Sequence, residues 1–376
     1  MRLDSISAAT ADLLRGLWRG ESPDWPGAFL SNQRFLEDLD AQGMAPLLWF
    51  KLNQAGRPPD WPVPVLKALR RRALREAAVE MARDADLEIL LGAFEEKGIR
   101  PLLLKGAALS HMHYPRAGLR PRCDTDLLVP ESQKEVAAAL MRELGFQPLY
   151  EADVDQISAQ MSWLKLGGAG VECNYDLHWR ISNNDRQFAR VFSHEHLSAR
   201  AVEVHAMGEH ARTLEPVDAL VLACMHRAGH YSHSGDRLIW LYDIHLLAGA
   251  LNEEETARFC VLVRELDIEG LCGDAFAVTR HWFGTALPPP LEAMCPLTGG
   301  SEIRGYLRSG RQAGIRGFVR RELGGMSWKE GVRFIAQNLF PPPAYMRWRY
   351  ASTNRLSLPW LYLKRMLQGL RILVGR

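Results

Sequence analysis

The 376-residue chain has no uninterrupted apolar stretch of 18 residues, which is about what a membrane-spanning helix needs. Its opening run, MRLDSISAATADLLRGLWRG, is interrupted by acids and arginines and leaves no signal-peptide core. These absences lead to the expectation of a cytoplasmic protein. Cysteine is sparse. Cys123, Cys173, Cys224, Cys260, Cys272 and Cys295 lie far apart with no C-x-x-C pair and no dense secreted-type spacing, so reduced thiols are expected. There is no internal repeat and no low-complexity tract, which removes solenoid and linker-like readings. Acids are scarce in one region only: residues 301–376 carry 15 Lys and Arg against three acids, leaving the first 300 residues at a net charge of −10.

What remains is a globular composition, 47% hydrophobic and 24% charged, with length enough for a large core. The run VPVLKALRRRALREAAVEMARDADLEILLGAFEEK, ending at Lys97, has apolar residues at helical spacing and Gly98 as a stop, predicting one long helix or two in tandem. IRPLLL follows as a short buried strand, Lys105-Gly106 as a turn, and AALSHMHY as a short helix. DTDLLVP reads as a second strand closed by Pro130. SQKEVAAALMREL reads as a helix with a capping box from Ser132 to Glu135 and Gly145 at its end. WLKLGGAGVECNYDLHW predicts a hairpin. In its second arm Glu172, Asn174, Asp176 and His178 share one face, and Cys173, Tyr175, Leu177 and Trp179 the other. From about residue 215 the pattern is helical, with Asn252 as a cap, until proline-broken connectors at 285–345 obscure it.

The chemistry gathers on carboxylates. Asp124 and Asp126, at i and i+2 on a strand, point the same way, and a third acid on a neighbouring strand could complete a site for one or two divalent cations. Lys105, Gly106 and the following helix offer cationic and N–H groups to phosphate. Arg120 and Arg122 suit either phosphate neutralisation or balance of the aspartates, the first favoured for Arg120. His226 and His230 stand at i, i+4 in HRAGH, which lacks the glutamate of a zinc H-E-x-x-H; a nucleotide- or acceptor-facing role and a structural one both stay open.

The run LLLKGAALSHMHYPRAGLRPRCDTDLLVP resembles the DNA polymerase β-like nucleotidyltransferase superfamily. Within it, Lys105, Gly106, Tyr114, Pro115, Gly118, Arg120, Asp124 and Asp126 match the pattern of an uncharacterised bacterial nucleotidyltransferase family. Asp176-Leu177-His178-Trp179 resembles that family's third-carboxylate strand, and His226, His230, Arg237, Trp240 and Asp243 extend the resemblance into the helical part. It implies an α/β (α+β) fold, a small mixed sheet flanked by helical regions. The expected division is 1–95 helical, 96–205 the nucleotidyltransferase core, 206–300 helical and closing the cleft, and 301–376 a basic region.

It also implies metal-dependent transfer of a nucleoside monophosphate from an NTP to a hydroxyl acceptor, a small molecule or a protein. Asp124, Asp126 and Asp176 would hold Mg²⁺ or Mn²⁺; Glu172, which shares the strand face of Asp176, could replace or assist it. Lys105, Gly106, Arg120 and His178 would bind nucleotide, and His226, His230 and Asp243 would contact nucleotide or acceptor. Ala107 stands where most active members of the superfamily have Ser or Gly. That departure keeps two alternatives in view: a non-catalytic nucleotide- or partner-binding module, and a phosphotransferase. Nucleic acid is disfavoured as a partner because no basic stripe accompanies the site. The segment 358–374 fits either a docked terminal helix or peripheral membrane contact.

Overall fold

The computed structural model describes residues 6–27, 30–55, 60–149, 160–181, 192–295, 328–350 and 357–374. Four helices come first: α1 (Ala8–Trp18), α2 (Asn32–Gln42), α3 (Ala45–Ala55) and α4 (Val63–Glu96). The long run ending at Lys97 is thus one continuous helix, and Gly98, at φ 69°, takes the left-handed conformation that ends it. The core follows as β1 (Leu102–Leu104), α5 (Lys105–Met112), β2 (Thr125–Leu128), α6 (Lys134–Glu143), β3 (Gln147–Pro148), β4 (Gln160–Leu166) and β5 (Glu172–His178). After α7 (His194–Arg200), two short strands, β6 (Val202–Glu203) and β7 (Arg212–Thr213), complete the sheet. Then come α8 (Pro216–Ser234), α9 (Leu238–Ala250), α10 (Glu253–Glu265), α11 (Glu269–Phe283) and α12 (Pro289–Ala293). Further along are α13 (Trp328–Leu339), α14 (Pro343–Arg349) and α15 (Leu358–Val374). Among the described residues no helix is long and apolar enough to cross a membrane.

Among the described residues seven strands form one mixed sheet in the order β3-β4-β5-β2-β1-β7-β6. β2 lies between β1, antiparallel to it, and β5, parallel to it. Strand side chains alternate between faces, and each face has its own core. Leu103, Leu127, Cys173, Tyr175 and Leu177 pack with α6 and the C-terminal half of α4, where Leu87, Leu90, Leu91 and Phe94 are buried. Leu102, Leu104 and Leu128 face the opposite way, onto α8 to α11. The N-terminal half of α4 joins α1 to α3 in a third core that also takes Leu238, Ile239 and Leu241 of α9. Asp126 shares its face with Leu128, so the α8–α11 helices cover the face that carries the acids.

Two capping expectations part company. Asn252 and Glu255 form the reciprocal capping box of α10. Ser132 caps nothing: after Pro130 the chain makes a single 3-10 turn over Glu131–Gln133, and α6 begins only at Lys134, with no side-chain cap.

Candidate active site

The site forms where three adjacent strands bring their chemistry into line. Leu104 of β1 pairs with Asp126 of β2, and Asp126 pairs with Asp176 of β5. The hairpin register predicted from the sequence therefore holds: Asp176 and His178 share the face of Asp126, while Tyr175, Leu177 and Trp179 pack in the core behind. Asp126, Asp176 and His178 each place a donor atom within 4.8 Å of the others.

Asp126 is buried, and its Oδ1 accepts from Lys105 Nζ at 2.7 Å and lies 2.8 Å from His178 Nε2. Burial alone would raise its carboxyl, but the Lys105 ammonium and His178 outweigh this and hold it well below the usual carboxylate range. Its Oδ2 takes no hydrogen bond from any described residue. Asp176 is oriented by neutral donors, Gln160 Nε2 at 2.9 Å on Oδ2 and the Ser162 hydroxyl on Oδ1. Asp124, expected on the strand, is exposed and stands one residue before β2 begins at Thr125. The protein crowding round it and the charges of Asp126 and Asp176 push its carboxyl up to about 6, against the pull of Lys105 and Arg120. Three acids with one ammonium among them leave surplus negative charge in one cleft.

Lys105 opens α5 with φ 50°, a left-handed backbone that is rare outside glycine. Desolvation works against its charge, yet Asp126, Asp124 and Asp176 prevail and raise its pKa. Gly106 follows because a Cβ there would overlap the guanidinium of Arg120. Arg120 is itself buried and tied to Asp243, with Nη2 to Oδ2 at 2.6 Å and Nε to Oδ1 at 3.0 Å. The Tyr114 hydroxyl donates to the same Asp243 Oδ1 at 2.7 Å. A Cβ on Gly118 would lie 2.7 Å from the Ala77 Cα, so that glycine lets the Arg120 segment press against α4. Gly106, Tyr114, Gly118, Arg120 and Asp243 thus belong to one buried brace between the sheet, α4 and α9.

Arg122 turns the other way, buried against Glu80 at 2.9 Å.

His226 and His230 do not reach the carboxylates as a ligand pair. They pack with Trp240, their ring centroids 4.9 and 5.0 Å from it and 4.6 Å from each other, and Arg237 lies over Trp240 at 5.5 Å. A narrow pocket runs between Lys105, Arg120, Thr213, His226, Trp240 and Asp243. Burial, then the nearby Lys105 and His230, pushes His226 well below its ordinary value, so its imidazole is neutral at pH 7. Glu172, weighed as a substitute for Asp176, is at the exposed far end of β5 and pairs with Leu166.

Sequence reasoning passed over Ser162 and Gln160. Their signal was available in the hairpin itself, since the β4 residue opposite Asp176 is Ser162, and Gln160 is the next on that face.

No curated protein matches the chain. A family model described as uncharacterised nucleotidyltransferase matches residues 30–284, from the N-terminal helices through the sheet to the end of α11, and so takes in every residue of the site. The chain belongs to that uncharacterised nucleotidyltransferase family.

Proposed function

We propose that the protein is a metal-dependent nucleotidyltransferase that moves a nucleoside monophosphate from an NTP to a hydroxyl acceptor. The observation that carries this reading is the in-register pairing of Asp126 with Asp176, with Asp124 two residues before Asp126. The donor set suits a hard divalent cation: carboxylate oxygens predominate, Asp126 Oδ2 takes no hydrogen bond from any described residue, and the Asp124 carboxyl is raised by burial and then by repulsion from Asp126 and Asp176, which a cation would relieve. Asp124, Asp126 and Asp176 would hold Mg²⁺ or Mn²⁺, which when bound supplies positive charge to the α-phosphate oxygens and acidifies the acceptor hydroxyl.

The chain's own groups do the rest. Lys105 Nζ supplies a cation at the lip of the pocket for the triphosphate, and the amides at the start of α5 add N–H donors. Arg120, its guanidinium already bonded to Asp243, braces the Lys105–Gly106 turn from behind. His178 fixes Asp126 Oδ1, and Ser162 and Gln160 fix the rotamer of Asp176, so the acids are set before substrate arrives. Neutral His226 beside Trp240 forms the wall against which base or acceptor would lie.

Incubation with α-labelled NTPs, Mg²⁺ or Mn²⁺ and cell extract tests the proposal. Release of pyrophosphate with label on an acceptor, lost in Asp126→Asn, supports it. Release of nucleoside diphosphate would make the protein a phosphotransferase. Metal-dependent NTP binding without turnover would make it a binding module.

A further inference from the structure

Two helices near the C-terminal end of the chain expose what helices normally bury. On α13, Trp328, Val332, Ile335 and Leu339 recur at i, i+4, i+7 and i+11, one stripe along one side, and all four are exposed, Trp328 to 74%. On α15, Trp360, Leu363 and Leu367 recur at i, i+3 and i+7 and are exposed too, Trp360 to 64%. The inner side of α15 is otherwise occupied. Leu361 is buried, the Tyr362 hydroxyl donates to the Pro341 carbonyl, and Tyr350 donates to Gln368 at 2.8 Å, so α15 packs on α14 and its connector through residues other than the stripe. A terminal helix docked by its apolar side would show the reverse pattern.

Contiguous exposed apolar side chains at helical spacing mark an interaction surface. Charge decides what it meets. The region 301–376 carries 15 Lys and Arg against three acids, and Lys329, Arg349 and Lys364 stand exposed on the same three helices as the stripes. Tryptophan and leucine on one side with lysine and arginine around them is the chemistry of a helix lying in the plane of a bilayer. There the rings sit at headgroup depth, and the long basic side chains reach anionic phosphates while their stems stay apolar. A protein partner would need an acidic surface with an apolar centre, whereas an anionic lipid surface offers both along its whole extent.

We propose that α13 to α15 form a peripheral docking surface for anionic membranes, with the two apolar stripes entering the interface and the basic residues holding the headgroups. Neither helix spans. The inference is independent of the nucleotidyl-transfer reading.

The test is sedimentation of the full chain with vesicles of phosphatidylcholine alone and of phosphatidylcholine mixed equally with phosphatidylglycerol. Binding to the anionic vesicles is expected to be about tenfold tighter or more, and to weaken severalfold when salt rises from about 0.1 to 0.5 M. The double variant Trp328→Ser with Trp360→Ser, whose positions are exposed and whose circular dichroism should be unchanged, is expected to lose about tenfold in affinity. Lys364→Glu should lose roughly fivefold on anionic vesicles and nothing on neutral ones. Equal binding to both vesicle types, or none to either, overturns the proposal. So does a dimer in sedimentation equilibrium that the tryptophan double variant converts to monomer without changing vesicle binding, because the stripes would then join two copies of the chain.

Discussion

Replacing Asp243 by Ala should unfold the protein more readily before it alters any nucleotide affinity. Asp243 carries both charge-assisted bonds of Arg120 and the hydroxyl bond of Tyr114, and all three residues are buried. Its removal leaves a guanidinium out of water and, among the described residues, with only a long contact to the Pro121 carbonyl at 3.4 Å. Breaking a buried pair on one side costs about 3–5 kcal/mol, and the stranded tyrosine hydroxyl adds about 1 kcal/mol. Against a total stability of about 5–15 kcal/mol this is a large fraction. Urea denaturation followed by tryptophan fluorescence measures it as a fall in the midpoint of the transition, with the slope unchanged. The double replacement Arg120→Met with Asp243→Leu removes both charges and should regain most of the loss, since apolar groups of similar volume substitute well for a buried ion pair. The stabilising-brace assignment fails if Asp243→Ala costs less than about 1 kcal/mol, or if the double variant is no better than the single one.

Asp124→Asn and Asp126→Asn should both abolish transfer, yet move the stability of the metal-free protein in opposite directions. The first relieves crowding among like charges, whereas the second deprives Lys105 and His178 of their shared acceptor at a cost of about 1–3 kcal/mol; melting curves in a chelator read the difference, and a fall in both would refute the charge balance described. Because the folded protein keeps a proton on Asp124 up to about pH 6 while the unfolded chain loses it near the ordinary value, metal-free stability should decline as pH rises through about 4 to 6, a slope absent in Asp124→Asn. His245 works the other way: burial, and then Lys51, lowers it to about 4, so the stability present above about 6.5 is lost as pH falls towards 4, by at most about 3 kcal/mol, and His245→Gln should flatten that limb. Gly118→Ala should prevent the close approach to α4 and cost about 1–3 kcal/mol, seen as a lower melting temperature; a neutral effect would mean that α4 yields at Ala77.

The strand pair that bears the acids was legible because alternation is a local property. Five consecutive residues, Asn174 to His178, already assign every side chain to a face, and the observed pairing of Asp126 with Asp176 agrees. The role of Arg120 was not legible in the same way. Its partner Asp243 is 123 residues away, and no pattern within a window can choose between a phosphate and a distant carboxylate for a guanidinium. The sequence offers the Gly106 turn to phosphate, and what a Cβ there would meet is Arg120. The strands β3, β6 and β7 have two residues each, too few for any period to register; β3 and β7 form against the longer β4 and β1, and β6 against the equally short β7. Ser132 had a capping sequence without a cap, since Pro130 sets a tight turn that places it one step inside.

The pairing of Asp126 with Asp176 has a mechanical meaning. Two side chains on one helix, or on two loops, keep their separation only as well as their surroundings hold them. Here the separation is set by the backbone ladder between two parallel strands, about 4.8 Å wherever such strands occur. The sheet acts as a fixed gauge, and side-chain rotation is left with only fine adjustment. His226 and His230 on α8 and Trp240 on α9 meet through ring packing and belong to no such ladder. Substitutions among these rings therefore leave the spacing of the acids as the ladder sets it, and under the proposed function choice of acceptor would be separable from the chemistry performed on it.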